Sequence, residues 1–113
     1  MEIVRKAKIS VNGKSEAVDA IIDTGPDRTM IDEEILLKLA APHLGNWGVQ
    51  SMGEFKDTKP VYSVGVEVDG VGFPLTVFGG RKNIIGHDFL QLAKAVINEE
   101  TGDVKLTKDW IEM

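Results

Sequence analysis

The chain contains no cysteine, so neither a disulfide framework nor a thiolate metal site is available to it. It has two histidines, His43 and His87, and neither sits in a His-Glu-x-x-His pattern, which removes the common zinc-hydrolase arrangement. No glycine cluster has the surroundings of a phosphate-binding loop, so no metal and no cofactor is expected. No apolar run approaches the roughly 20 residues of a membrane-spanning helix. The first eleven residues alternate apolar with polar and lack a continuous apolar segment, so they do not read as a secretory signal, and a cytoplasmic location is the default expectation. Basic residues form no block. With 13 Lys and Arg against 18 Asp and Glu, the net charge of -5 gives no support for a nucleic-acid or membrane partner.

What is present reads as an ordinary folded domain. At 113 residues the chain has the commonest domain size, and residues 1–113 are expected to form one unit. An apolar fraction of 42% beside 27% charged residues argues against disorder. Twelve glycines predict many turns.

The pattern along the chain is one of hairpins. Ala7-Lys8-Ile9-Ser10-Val11 alternates, Asn12-Gly13 is a strong two-residue turn signal, and a second strand runs from Ala17 to Ile22. Thr29-Met30-Ile31 is short and β-compatible. Asp32 to Ala41 predicts a helix capped by Asp32, acidic in its first turn, apolar at Ile35, Leu36 and Leu39, and stopped by Pro42. Between Pro42 and Pro60 the pattern weakens. Val61 to Val68 alternates again, Asp69-Gly70 is a second turn, and Phe73 to Phe78 returns, with Pro74 making that strand an edge or a bulged one near its start. Ile84-Ile85 ends a buried strand, and His87 to Ala93 predicts a short helix with Phe89, Leu90 and Ala93 inward. A closing hairpin, 95–98 with 104–107, turns at Glu99-Glu100-Thr101-Gly102, and Trp110 and Ile111 extend a tail.

Ala20-Ile21-Ile22-Asp23-Thr24-Gly25 delivers a carboxylate from an apolar strand into a glycine turn. A carboxylate after three apolar residues should be poorly solvated, which raises its pKa unless hydrogen bonds hold the charged form. Thr24 and the Gly25 N–H are the groups at hand to supply them. Asp, Gly and Pro are also ordinary turn residues, and a given tripeptide occurs by chance in roughly one per cent of chains this long, so Asp-Thr-Gly alone decides nothing. The apolar approach, the onward Thr29-Met30-Ile31 and a second segment, Asn83-Ile84-Ile85-Gly86-His87-Asp88-Phe89-Leu90, add the context.

Together these two segments resemble the hallmarks of the retropepsin-like aspartic proteases: Asp-Thr-Gly after a hydrophobic strand with an acid two residues on, here Asp27, and an Ile-Ile-Gly and short helix about sixty residues later. The helix expected after Asp32 is similar to the cellular single-domain relatives rather than the retroviral enzymes. The resemblance implies an all-β fold, a closed barrel or sandwich of hairpins with a flap and one or two short helices, working as a homodimer. One Asp-Thr-Gly and no internal repeat mean that a second carboxylate has to come from a second copy.

By the same resemblance the catalytic set is Asp23, Thr24 and Gly25. The Asp23 pair would share one proton and activate water, and Thr24 would bond across the twofold axis. Asp27 and Arg28 would meet the peptide, Ile84 would line its groove, and the region from Pro42 to Pro60 would form a flap with its tip near Ser51-Met52-Gly53, placing Met52 and Gly53 on the substrate. His87 stands where retroviral enzymes carry an arginine paired with the acid matching Asp27, a bond that histidine would make in part and with pH dependence. Two departures, Pro26 in place of a small residue and the longer C-terminal tail, support a rival in which a dimer of this fold binds peptides or assembles without catalysis.

Overall fold

The computed structural model describes residues 2–50 and 56–107. Strands β1 (Ile3–Val11) and β2 (Lys14–Ile22) pair antiparallel in continuous register from Ile3↔Ile22 to Val11↔Lys14. Asn12 and Gly13 both take positive φ (49° and 83°), the geometry of a tight turn whose twist matches that of the strands. Strands β5 (Lys56–Val68) and β6 (Val71–Gly80) repeat the device around Asp69 and Gly70, with φ of 53° and 80°. β3 (Met30–Asp32) and β7 (Ile84–Ile85) are short. They complete a seven-stranded sheet ordered β1-β2-β7-β3-β6-β5-β4, in which β1 also pairs β5. That last pairing closes every strand except β4 into a ring.

The interior of the ring follows from period-two alternation. Ala7, Ile9, Ile31, Val66, Val77 and Ile85 are almost wholly removed from solvent and meet at its centre. Phe89 plugs it from one end, edge-on to Phe73 at 5.3 Å. Pro74 fits without a bulge opposite Gly65. Counted outward from Val68↔Val71, which closes the turn, Gly65↔Pro74 falls on a pair that exchanges no ladder bonds, and β3 reaches only Phe78–Gly80 of β6. The proline thus occupies a local edge inside an otherwise interior strand.

β4 (His43–Gln50) runs antiparallel to the first half of β5, so the weakly patterned region after Pro42 is one arm of a hairpin. Its pattern is weak because β4 pairs on one side only and is largely exposed, and a register shift between His43 and Gly45, with Gly45 at φ 123°, interrupts its alternation. The expected tip at Ser51-Met52-Gly53, and with it Met52 and Gly53, lies outside the described residues. A separate pair, β8 (Val96–Asn98) and β9 (Asp103–Lys105), forms the closing hairpin. It is strapped to β1 by the Arg5 guanidinium, which donates to the Gly102 carbonyl at 2.8 Å.

Two helices follow the two short strands. α1 (Glu33–Lys38) is capped by Asp32, whose carboxylate accepts from the Glu34 N–H at 2.9 Å. It ends sooner than the expected Ala41, because Ala40 turns left-handed (φ 55°) while Ala40 and Ala41 donate back to Leu37 and Leu36. α2 (His87–Leu92) ends the same way, with Lys94 at φ 50° and with Lys94 and Ala95 donating to Gln91 and Leu90. Both ends are Schellman motifs built without the usual glycine. Among the described residues no helix is long and apolar enough to cross a membrane.

These details carry two predictions. An L-residue at a left-handed C′ position is strained, and Lys94 is exposed, so Lys94→Gly should raise the unfolding free energy by about 0.5–1 kcal/mol in chemical denaturation. The second concerns Tyr62, the only tyrosine, which is buried and donates to Glu33 at 2.7 Å. Burial above all, then the hydrogen bond and charge of Glu33, hold its phenol proton to higher pH than usual. The folded protein therefore keeps a proton that the unfolded chain has already lost, and stability falls as pH rises past the ordinary value of about 10. Phenolate absorbance should titrate late in the folded protein, Tyr62→Phe should flatten the alkaline loss of stability, and Glu33→Gln should lower the midpoint only in part.

Candidate active site

Asp23 follows the last residue of β2, and its N–H donates to the Ile85 carbonyl at 3.1 Å. β2 and β7 lie parallel, with Ile21↔Ile84 and Ile22↔Ile85 side by side, so the two segments singled out in the sequence are neighbours. The Gly25 N–H donates to Asp23 Oδ1 at 2.9 Å, as the turn predicts. A Cβ on Gly25 would stand 3.2 Å from that oxygen, so a side chain here would press on the carboxylate. Thr24 makes no side-chain bond among the described residues. Asp23, Thr24 and Gly25 are all exposed on the single chain. The expected poor solvation of Asp23 is therefore not found in this chain: the apolar strand ends at buried Ile22, and the carboxylate lies just beyond it, exposed.

The loop from Asp23 to Thr29 is fixed by α2. Gly86 precedes the helix and offers no side-chain cap; instead the Pro26 carbonyl accepts from the His87 N–H at 2.8 Å and the Asp27 carbonyl from the Asp88 N–H at 3.2 Å. In the other direction the Asp88 carboxylate accepts from the Thr29 N–H (2.9 and 3.0 Å) and the Thr29 hydroxyl (2.7 Å). The same hydroxyl oxygen accepts from the Gly86 N–H at 3.0 Å. Thr29 is fully buried, and among the described residues no buried side-chain polar atom lacks a partner. Gly86 has to be glycine on spatial grounds alone, since a Cβ would come within 2.9 Å of the Pro26 carbonyl oxygen and the Arg28 backbone.

Two expectations change here. The His87 side chain is exposed and makes no bond to Asp27, and the carboxylate that ties loop to helix belongs to its neighbour Asp88. Pro26, whose ring removes an amide donor, contributes its carbonyl to the helix and so has a place in the loop's bonding. Asp88 and Thr29 stand in the segments quoted from the sequence but were given no role there; the signal was a polar residue beside an apolar segment, too common a pattern to select.

Asp27, Arg28 and Ile84 share one cavity of about 570 Å³, together with Trp47, Lys59 and Phe78. The Arg28 guanidinium carbon lies 4.6 Å from the centre of the Trp47 ring and 5.7 Å from that of Phe78, and the two rings stand perpendicular, 6.5 Å apart. One guanidinium N–H donates to the Thr76 carbonyl at 3.1 Å. Trp47 was missed because the period of β4 is hidden by its exposure, and Phe78, read only as the end of a returning strand, carries no sign in the residues that it meets Arg28. Asp23 and Thr24 line a second hollow, about 440 Å³, with Ile3, Ile22 and Ile97. Thr24 and Ile97 also border a third, about 310 Å³, with Leu90.

No protein-family model and no curated protein sequence matches the chain. Solved structures do. The EIAV protease complexed with the inhibitor HBY-793 superposes with a TM-score of 0.62 at 15% identity, covering 87% of this chain and 93% of that one. The retroviral protease-like domain of Ddi1 from Leishmania major gives 0.60 at 13% identity, covering 92% and 88%. The chain has the retropepsin-like fold. In that fold the turn after β2 and the strand-to-helix corner after β7 are the two resembling segments, and here they are locked to each other by the bonds between Pro26, Asp27, Thr29 and α2.

The Thr29 hydroxyl serves Asp88 and Gly86 at once. Thr29→Val should cost about 2–3 kcal/mol of stability, because it strands a buried N–H and removes a bond to a carboxylate, whereas Thr29→Ser should recover most of it. Denaturant midpoints of the two variants measure the difference.

Proposed function

We propose that this protein is an aspartic endopeptidase that acts as a homodimer. The observation that carries the reading is the placement of Asp23: a carboxylate held by the Gly25 N–H, at the end of a strand paired to β7, and open to solvent on the single chain. Hydrolysis of a peptide bond by this route needs two carboxylates close enough to share a proton, one ionised to activate water and one protonated to polarise the carbonyl. Two like charges that near cannot both ionise; the aspartic protease dyad is a standard case of that rule. One chain supplies one such residue, so the partner is a second copy related by a twofold axis.

Thr24 supports this arrangement, since its hydroxyl is exposed and unpartnered among the described residues and lies between two hollows bordered by Ile97. In the dimer Thr24 bonds across the axis and steadies the two Asp23 turns. The cavity of Asp27, Arg28 and Ile84 then receives a substrate side chain, and the hairpin of β4 and β5 covers the peptide. The substrate class is a peptide or protein. The competing reading, a non-catalytic dimer that binds extended peptides or serves assembly, has the same interface but no use for a shared proton.

Asp23→Asn separates the two. An asparagine oxygen can still accept from the Gly25 N–H, so the turn survives while the ionisable pair is lost. Cleavage of a mixed peptide library by the wild type should rise toward acid pH, and the variant should lose at least about a hundredfold, a typical contribution of one general acid or base. Equal cleavage by both proteins would refute the assignment; binding of a statine-type inhibitor without turnover would favour the non-catalytic dimer.

A further inference from the structure

We infer that the cavity around Arg28 selects peptides carrying a carboxylate side chain, aspartate or glutamate, at the position that enters it. The inference rests on the reading of this face as a peptide groove and names the substrate class for it.

Three features of the cavity point to an anion. Arg28 is half-buried in a corner made by Trp47 and Phe78, and among the described residues no carboxylate lies within ion-pair distance of it; the ion pairs present are Lys6 with Asp19 and Lys38 with Glu16. Its one hydrogen bond among the described residues, to the Thr76 carbonyl, engages one N–H of the five that a guanidinium carries. Lys59 brings a second cation to the same cavity, and the Asp27 carboxylate, which is exposed, supplies the one negative charge among the described lining residues. The described lining of the cavity therefore carries a surplus of positive charge in a protein whose net charge is -5.

The aromatic walls matter for strength. They stack against the guanidinium of half-buried Arg28, and a cation set against aromatic rings in a less polar surrounding binds a carboxylate more tightly than a free surface arginine. The planar fork also matches a carboxylate in two-point contact, a geometry that an amide or an alkyl chain does not repay. Ile84 and Met30 leave apolar surface for the methylenes of the same side chain. A purely structural Arg28, tying the Asp23 loop to β6 through the Thr76 carbonyl, would explain the stacking but predicts no charge preference.

The test uses a peptide library whose members differ at one position by Glu, Gln, Leu or Lys, read in two ways: cleavage by the wild type, and retention on immobilised Asp23→Asn protein, which needs no catalysis. Glu members should be preferred to Gln members by about tenfold, and the preference should shrink with added salt. Arg28→Gln, which keeps a polar side chain but no charge, should abolish the preference, Arg28→Lys should keep part of it, and Arg28→Glu should turn it toward Lys members. That reversal is a gain which misfolding cannot imitate. Peptides retained with a Glu preference but not cleaved would uphold the pocket and refute the protease. Peptides cleaved or retained without a Glu preference, or with one that survives Arg28→Gln, would overturn the pocket alone, and no retention and no cleavage would overturn both.

Discussion

The exchange of hydrogen bonds between the Asp23 loop and the start of α2 is the constraint on which the site depends. A helix start leaves N–H groups without partners, and a loop that turns sharply leaves carbonyls without partners. Here each set satisfies the other: the Pro26 and Asp27 carbonyls take the first helical N–H groups, and Asp88, from the first turn, returns its carboxylate to Thr29. Because the Thr29 hydroxyl donates to Asp88 while accepting from Gly86, one side chain fixes both directions of the exchange. The geometry is narrow. Gly86 has no room for a Cβ, so loop and helix are held at backbone contact rather than by packed side chains.

That contact exists because the sheet forces it. β2 and β7 are parallel neighbours, and β3 lies between β7 and β6, so the chain leaves β2, forms the Asp23 loop and re-enters the sheet on the far side of a strand that comes some sixty residues later. The loop must pass over the end of β7, where Gly86 is. Each of the two short strands then runs into a short helix with the same Schellman ending, at Ala40 and at Lys94. The likeness lies in backbone geometry, which is why no internal repeat is visible in the residues. It also stops short of the chemistry: α1 is capped by its own Asp32, whereas α2 is capped by the loop that carries Asp23.

How much of this was legible in the residues depended on how local its cause was. Asn12-Gly13 and Asp69-Gly70 dictate their turns through the left-handed conformation that those residues accept, and both hairpins follow with their registers. Asp32 announces α1 because capping is a contact two residues long, but the early stop at Ala40 did not show, since alanine carries no signal for a left-handed position. The partners of the Asp23 loop were hidden for a different reason. Asp88 binds Thr29 across 59 positions, and His87 beside it looked the better candidate until the helix turned its side chain to solvent. β4 was obscured because an arm paired on one side need not alternate, and so Trp47, which completes the wall around Arg28, went unnoticed.

The retropepsin-like fold also explains why the loop can carry groups of opposite charge within six residues without cancelling them. Asp23 lies beyond the end of β2 on the side bordered by Ile3 and Ile97, while Arg28 is drawn under β6 by the Thr76 carbonyl and onto the rings of Trp47 and Phe78. Between them Pro26 and Asp27 are committed through their backbones to α2, so the loop cannot fold back to let carboxylate and guanidinium meet. An ion pair would have satisfied both groups within one chain and left little for either to do. Holding them apart leaves an acid turned outward and a cation stacked in a cavity, each still able to take a partner that the chain itself does not provide.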